Sequence, residues 1–229
     1  NKWSDEVQRV ESSEVIELSK YDKLFLEVIV RNARAVAQWQ SYGFLNGVLN
    51  TDNTSILGMA MDFGPFSFMD EFDPKFTPNS EDHMGRYSFE MMPSAIWFNM
   101  IKMGEAMGEV LGAGPKFLKN EEYLNGEGVK EEWIEEFTKR AMGIVEAGGE
   151  LFEKVYIDSY LTSVCSRLGI KPRSSDHSEV LGVLFEMLKA TKVNYNKFFV
   201  KLQGLELRSP NFDYDEAAKS LLGEGGSSE

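Results

Sequence analysis

Residues 46–66, NGVLNTDNTSILGMAMDFGPF, decide how this sequence is read. Gly, Asn and Asp punctuate the short apolar runs 48–49, 56–57 and 59–61, a pattern of short strands and tight loops rather than of helix. Gly58 permits a turn, so 54–57 run outward, 59–61 return, and Asp62 arrives beside Asn53, nine residues earlier in the chain. One Asp carboxylate and one Asn carboxamide oxygen suit Mg²⁺, with Mn²⁺ as an alternative. Such a hard cation takes one or two protein carboxylates and fills its remaining positions with phosphate oxygens and water. Asp52, directly before Asn53, is a carboxylate able to deprotonate an attacking hydroxyl in the same loop.

The flanks set this loop pair on helices. Upstream, Phe25, Val28, Ile29, Val36 and Trp39 recur at helical spacing over residues 21–42 and run into a capping Gly43. Downstream, residues 69–87 are rich in Asp, Pro, Asn and Gly. Pro65, Pro74 and Pro78 exclude a long helix, and Phe72, Phe76, Tyr87 and Phe89 point to an ordered, extended loop packed on a core.

After Pro93 the chain reads as helix almost throughout. One stripe, Trp97, Met100, Ile101, Met107 and Leu111, ends at Gly112-Ala113-Gly114. Others run from Trp133 to Val145, from Phe152 to Leu168 and from Val180 to Leu202, the last with Ser175-Asp176 as its N-cap. Trp39, Trp97 and Trp133 fall on these stripes as packing residues. The fold class is mainly α (α+β), a helical lobe with a short β-hairpin carrying the metal site, over residues 1–215. Residues 216–229, Gly/Ser/Glu-rich from Gly223, are expected to form a flexible tail.

Composition narrows the function. A net charge of −13 opposes binding to a phosphate backbone, so no nucleic-acid partner is expected. No apolar run reaches the ~18 residues of a membrane span, and no membrane insertion is expected. Cys165 is the single cysteine, which excludes an intrachain disulfide, and its apolar stripe marks it as a buried, inert thiol. His83 and His177 do not form a zinc-type pair. Arg86 suits a phosphate, but its default reading is a pairing with an Asp of its own loop; His83 could reach phosphates or bond to its own backbone, and no ligand role is assigned to it.

Asp-Phe-Gly at 62–64 alone is a common turn, but its context is specific. The order of helix, loop with Asn53, hairpin and Asp-Phe-Gly is that of protein kinases, whose catalytic-loop Asn and Asp-Phe-Gly Asp hold Mg²⁺ on ATP. Residues 46–53 then fall on the kinase pattern H-R-D-x-x-x-x-N with Val48 in place of the base Asp. A valine accepts no proton, which argues against ordinary phosphotransfer and leaves the role to Asp52.

The longer string NGVLNTDNTSILGMAMDFGPFSFMDEFDPKFTPN, with DHMGRYSF and PSAIWFN after it, resembles the selenoprotein O (SelO/YdiU) family. The resemblance is densest over residues 42–89 and points to a fungal-type member, since Asn46 stands where many relatives have His. It implies a protein-kinase-like C-lobe of a pseudokinase that transfers AMP from ATP to Ser, Thr or Tyr hydroxyls of proteins, in mitochondria. Position by position, Asp52 matches the family's proton acceptor, and Asn53 and Asp62 its Mg²⁺ ligands. The resemblance also implies a nucleotide-clamping lobe before these residues, so residues 1–229 alone are expected not to turn over. The alternatives are a phosphotransferase of kinase-like fold or an inactive binding module.

Overall fold

The computed structural model describes residues 3–12, 17–126, 128–173, 175–207 and 209–222. The chain is mainly α. In order it forms α1 (Asp5–Ser12), α2 (Lys20–Ser41), β1 (Phe44–Leu45), β2 (Ser67–Phe68), α3 (Met92–Ala106), α4 (Gly108–Phe117), α5 (Glu121–Leu124), α6 (Ile134–Leu168), α7 (Val183–Thr191), α8 (Tyr195–Gln203) and α9 (Tyr214–Leu222). Among the described residues no helix is long and apolar enough to cross a membrane.

Two compact units share the chain. The first comprises Asn1–Val36, Leu49–Asp62 and Pro93–Ile157; the second comprises Ala37–Val48, Phe63–Met92 and Asp158–Glu229.

In the first unit, the stripe expected on α2 buries Phe25, Val28, Ile29 and Val36, joined in the core by Ile96, Met100, Leu111 and Ile144. The start of α2 is fixed by a reciprocal capping box. Ser19 N donates to Asp22 Oδ2 at 2.6 Å, and Asp22 N donates to Ser19 Oγ at 3.2 Å. The Asp22 carboxylate, 0% exposed, also receives both terminal nitrogens of Arg140 on α6, at 3.1 and 2.8 Å. The same guanidinium donates to the carbonyls of Glu17, at 2.9 Å, and Leu111. It crosses α4 where Gly114 interrupts that helix with φ +52; a Cβ there would lie 2.3 Å from Arg140 Nε. The stop expected at residues 112–114 is this interruption.

In the second unit, β1 and β2 pair antiparallel, Phe44 opposite Phe68 and Leu45 opposite Ser67. Gly43 closes α2 as expected, with φ +66 and its N–H on the Gln40 carbonyl. The extended loop after β2 is ordered by two devices. Asp82 accepts from the backbone N–H of Arg86 and Tyr87, both at 2.8 Å, and Phe72 packs on Phe185, Phe89 and Tyr195 at 4.9–6.1 Å between ring centres. Arg167, 7% exposed, donates to the carbonyl of Ser41 and to Asn196 Oδ1, and its plane lies over the rings of Phe199, Tyr42 and Tyr195. Burial pulls its pKa below the ordinary value against the opposing pull of the tyrosines. A cation here also faces the carbonyl end of α2, where it is favoured.

Five expectations need correction. Strands do not form at 48–49, 56–57 or 59–61; the ladder is β1 with β2, and the only pairing within 54–60 is a single bridge. The stripes over 133–145 and 152–168 belong to one helix of 35 residues, α6. The helix read across Val180–Leu202 breaks at Lys192, which takes a left-handed conformation (φ 52), and α8 restarts on Asn194, whose side chain accepts from Lys197 N. Asp176 does not cap it; its carboxylate accepts from Arg173 N at 2.8 Å ahead of a π-helical stretch, His177–Gly182. The boundary drawn at 215 falls within α9, so residues 216–222 are helical, and 223–229 lie outside the described residues.

Cys165 is fully buried in the second unit, and desolvation, then the nearby Asp176 carboxylate, pushes its thiol pKa up. Under native conditions it should give no reaction with a thiol-specific disulfide reagent over an hour, and one equivalent of colour on unfolding. Full labelling of the native chain would contradict the burial.

Candidate active site

All three residues singled out for chemistry lie in the first unit, on the segment Leu49–Asp62. Asn50 opens it as the N-cap of a 3₁₀ turn, Thr51–Asn53, its side chain accepting from Asn53 N at 3.1 Å. Asp52 is exposed on this turn, and Asn53 is half-buried at its end.

The chain then doubles back. Thr54 and Ala60 form an antiparallel bridge, and Gly58 closes the tip with φ +69 and its N–H on the Ser55 carbonyl at 3.1 Å. A Cβ at Gly58 would lie 2.7 Å from the Arg31 carbonyl oxygen of α2, so conformation and space both require glycine. Asn53 precedes the bridge by one residue and exposed Asp62 follows it by two, so both lie at the open end of the hairpin, together with Asp52. The hairpin is shorter than read from sequence, and its turn residue is the expected Gly58.

Two buried asparagines hold this segment on its helices. Asn99 of α3, 4% exposed, donates through Nδ2 to the Leu49 carbonyl at 2.8 Å and to Thr54 Oγ1 at 2.7 Å. Asn32 of α2, 2% exposed, donates to the Ser55 carbonyl at 2.9 Å, and to the Val28 carbonyl of its own helix. Neither was picked out from sequence. The signal was there for Asn32, since a short polar side chain inside an apolar helical run is unfavourable unless it has a partner. Between these helices and the turn lies a cavity of about 390 Å³ lined by Val28, Thr51, Thr54, Asn99, Met100 and Lys102 among others.

The Asn99 contacts carry a prediction. Asn99→Ala takes this donor from the buried Leu49 carbonyl and leaves Thr54 Oγ1 with its bond to the Asn50 carbonyl alone, a loss of about 1–3 kcal/mol. Chemical denaturation should show it, with Asn99→Asp recovering less than half. An unchanged midpoint for Asn99→Ala would show that the loop does not depend on this side chain.

The donor set fits a hard cation. Among the described residues no three His, Cys, Asp or Glu side chains gather as a metal-holding group. An ion at the hairpin mouth would take Asn53 and Asp62 from the protein and the rest of its shell from phosphate and water, as Mg²⁺ does.

The residues on either side belong to the second unit. Asn46, 1% exposed, accepts from Val48 N at 3.3 Å, a small turn in which Asn uses its side chain as a local backbone substitute. Gly47 lies against Pro65, and Phe63 packs on Phe44 and Phe66. His83 and Arg86 are exposed on the extended loop; Arg86 lies over the Tyr87 ring at 5.6 Å, and Asp82 binds its backbone N–H. They are not on the segment that carries Asp52, Asn53 and Asp62.

Fold and loop together define a mainly α protein with an Asp-Asn pair and a second Asp carried on one short hairpin. The chain belongs to the family described as protein adenylyltransferase SelO, whose model matches residues 4–222. It is 37% identical over 239 residues to the mitochondrial protein adenylyltransferase SelO of Saccharomyces cerevisiae, covering 95% of this chain and 34% of that protein. To the Schizosaccharomyces pombe protein of the same description it is 52% identical over 98 residues, 43% of this chain and 17% of the relative. A protein nucleotidyltransferase YdiU of Pseudomonas fluorescens is 34% identical over 183 residues, 80% of this chain and 31% of the relative. The chain thus spans about a third or less of the length of these relatives.

Proposed function

We propose that these residues are the kinase-like C-lobe of a protein adenylyltransferase that moves AMP from ATP onto Ser, Thr or Tyr hydroxyls of proteins, in mitochondria as the names of the fungal relatives indicate. The observation that carries the reading is the hairpin register, which gathers Asp52, Asn53 and Asp62 at one open end. The family match over residues 4–222 supports it.

In this reading Asn53 and Asp62 would hold Mg²⁺ or Mn²⁺, which when bound neutralises phosphate charge and polarises the phosphorus under attack. Asp52 takes the proton of the acceptor hydroxyl as its oxygen bonds to the α-phosphorus. The bond from that phosphorus to the bridging oxygen breaks, and pyrophosphate leaves. The exposure of Asp52 suits a base that must meet the side chain of another protein. Val48 offers no base, and with Asp62 assigned to the metal Asp52 is the carboxylate left for the proton.

ATP labelled in turn at the α- and γ-phosphate tests the proposal in a protein of the relatives' full length. Label kept on acceptor protein from the α-position, with pyrophosphate released, is the expected result. Retention from the γ-position would make the protein a phosphotransferase, and retention from neither would make it a binding module.

A further inference from the structure

The first unit also carries an apolar hollow away from the hairpin. It is a groove of about 730 Å³ between α3, α4 and the N-terminal half of α6. Trp97, Ile101 and Phe137 line its depth, while Ile134 and Met142 stand at its mouth, 52% and 66% exposed. Trp97 is held in place by Phe152, at 5.6 Å between ring centres. On the α3–α4 side Gly108 keeps the wall low, with nothing within 4 Å of where its Cβ would be, while Gly104 lets α6 close in, a Cβ there lying 2.8 Å from Val145 Cγ2.

Its charge has one sign. Glu105, Glu109 and Glu146 line the groove, and no Lys or Arg is among the described residues lining it. Lys102 reaches Glu105 from the same helix at 2.8 Å, and Tyr123 donates to Glu109 at 3.1 Å. A shallower hollow continues along α6 past Glu135, Lys139 and Met142, adding a further acid and one base. The α6 wall from Ile134 to Glu146 is about 18 Å long at the helical rise of about 1.5 Å per residue, which is the length of three helical turns.

We infer that this groove is a docking site for a basic amphipathic helix of a partner protein, some three turns long. Its apolar face would seat on Trp97, Ile101 and Phe137, and its Lys or Arg side chains would meet Glu105, Glu109 and Glu146. The shape fits helix-in-groove recognition, in which side chains at i, i+3, i+4 and i+7 enter an apolar trough. Charge complementarity selects the partner. An anionic membrane or an acidic peptide meets carboxylates at the mouth, whereas a basic helix gains attraction and steering. The inference does not depend on the adenylyltransferase reading.

The test uses this chain and three synthetic 14-residue peptides: a Leu/Lys helix with leucines on one face, a scramble of equal composition, and a twin with Glu for every Lys. Titration is followed by tryptophan fluorescence, to which Trp97 contributes, and by calorimetry. The Leu/Lys helix should bind, and the scramble and the Glu twin at least about tenfold more weakly. Glu105→Lys/Glu146→Lys should weaken binding at least about tenfold, as should Thr138→Trp at the mouth. Glu179→Lys/Glu186→Lys, which changes net charge equally in the second unit, should cost less than about twofold. Equal binding of the scramble, equal loss in the two double variants, no binding at all, or displacement of the peptide by neutral phosphatidylcholine vesicles would each overturn the proposal.

Discussion

Asp62→Ala, in a protein of the relatives' full length, is expected to lower AMP transfer by at least about 100-fold while leaving the melting temperature within about 2 °C of the parent. The two halves of this expectation have separate grounds. Asp62 is exposed at the end of the hairpin, and substitutions at such surface positions usually change stability by little. In the proposed site its carboxylate would nonetheless be the charged half of a two-residue donor set, and an Asn carboxamide alone binds a hard cation poorly. Raising Mn²⁺ should recover part of the activity of Asp62→Asn and none of that of Asp52→Ala, because in the proposed roles the second variant would lack the base rather than the ligand. Full activity of Asp62→Ala would remove the metal role from this residue; full activity of Asp52→Ala would remove the base.

Arg140→Met is expected to destabilise the first unit by about 3–5 kcal/mol, the range for breaking a buried ion pair by deleting one partner. For a chain of this size that is a fall in melting temperature of about 10 °C. The cost arises from what is left behind. Asp22 is fully buried, and although Ser19 N still bonds to it, its charge would face the interior with no cation beside it. The carbonyls of Glu17 and Leu111 would lose their donor as well. A second change, Asp22→Asn, removes the charge while keeping an oxygen for the capping box. The double variant should therefore be more stable than Arg140→Met alone, a coupling of opposite sign to simple addition. If the two losses add, the pair is not a unit and the guanidinium acts only through the carbonyls.

Much of this was legible in the residues. The helix running into Gly43, the turn at Gly58 and the stop near Gly114 all declared themselves, because a glycine forced into positive φ leaves a local mark. The order of the long loop followed from its aromatics, and Phe72 stacked on Phe185 bears this out. The strands were misplaced for a different reason. Phe44 pairs with Phe68 across 24 positions, and such a partner is set by tertiary packing rather than by the alternation of either segment. Gly148 and Gly149 fall between the two stripes, yet in α6 they let other helices close in: a Cβ on Gly148 would lie 2.7 Å from Ile29, and one on Gly149 3.1 Å from Trp97. At the candidate site the sequence displayed Asp52, Asn53 and Asp62 by type and spacing. It gave no role to Asn99, whose importance lies in meeting a carbonyl fifty residues away.

Arg167 has a consequence for how this protein tolerates drift. Its guanidinium is flat, and it uses that flatness on three aromatic rings while its edge serves the end of α2 and Asn196. Lysine would bring the same charge as a point, with no plane to stack and a strong hold on its own hydration. The exchange usually scored as the mildest in the alphabet is therefore a severe one at position 167. A lineage that loses this arginine is expected to carry changes at Tyr42, Tyr195 or Phe199 as well.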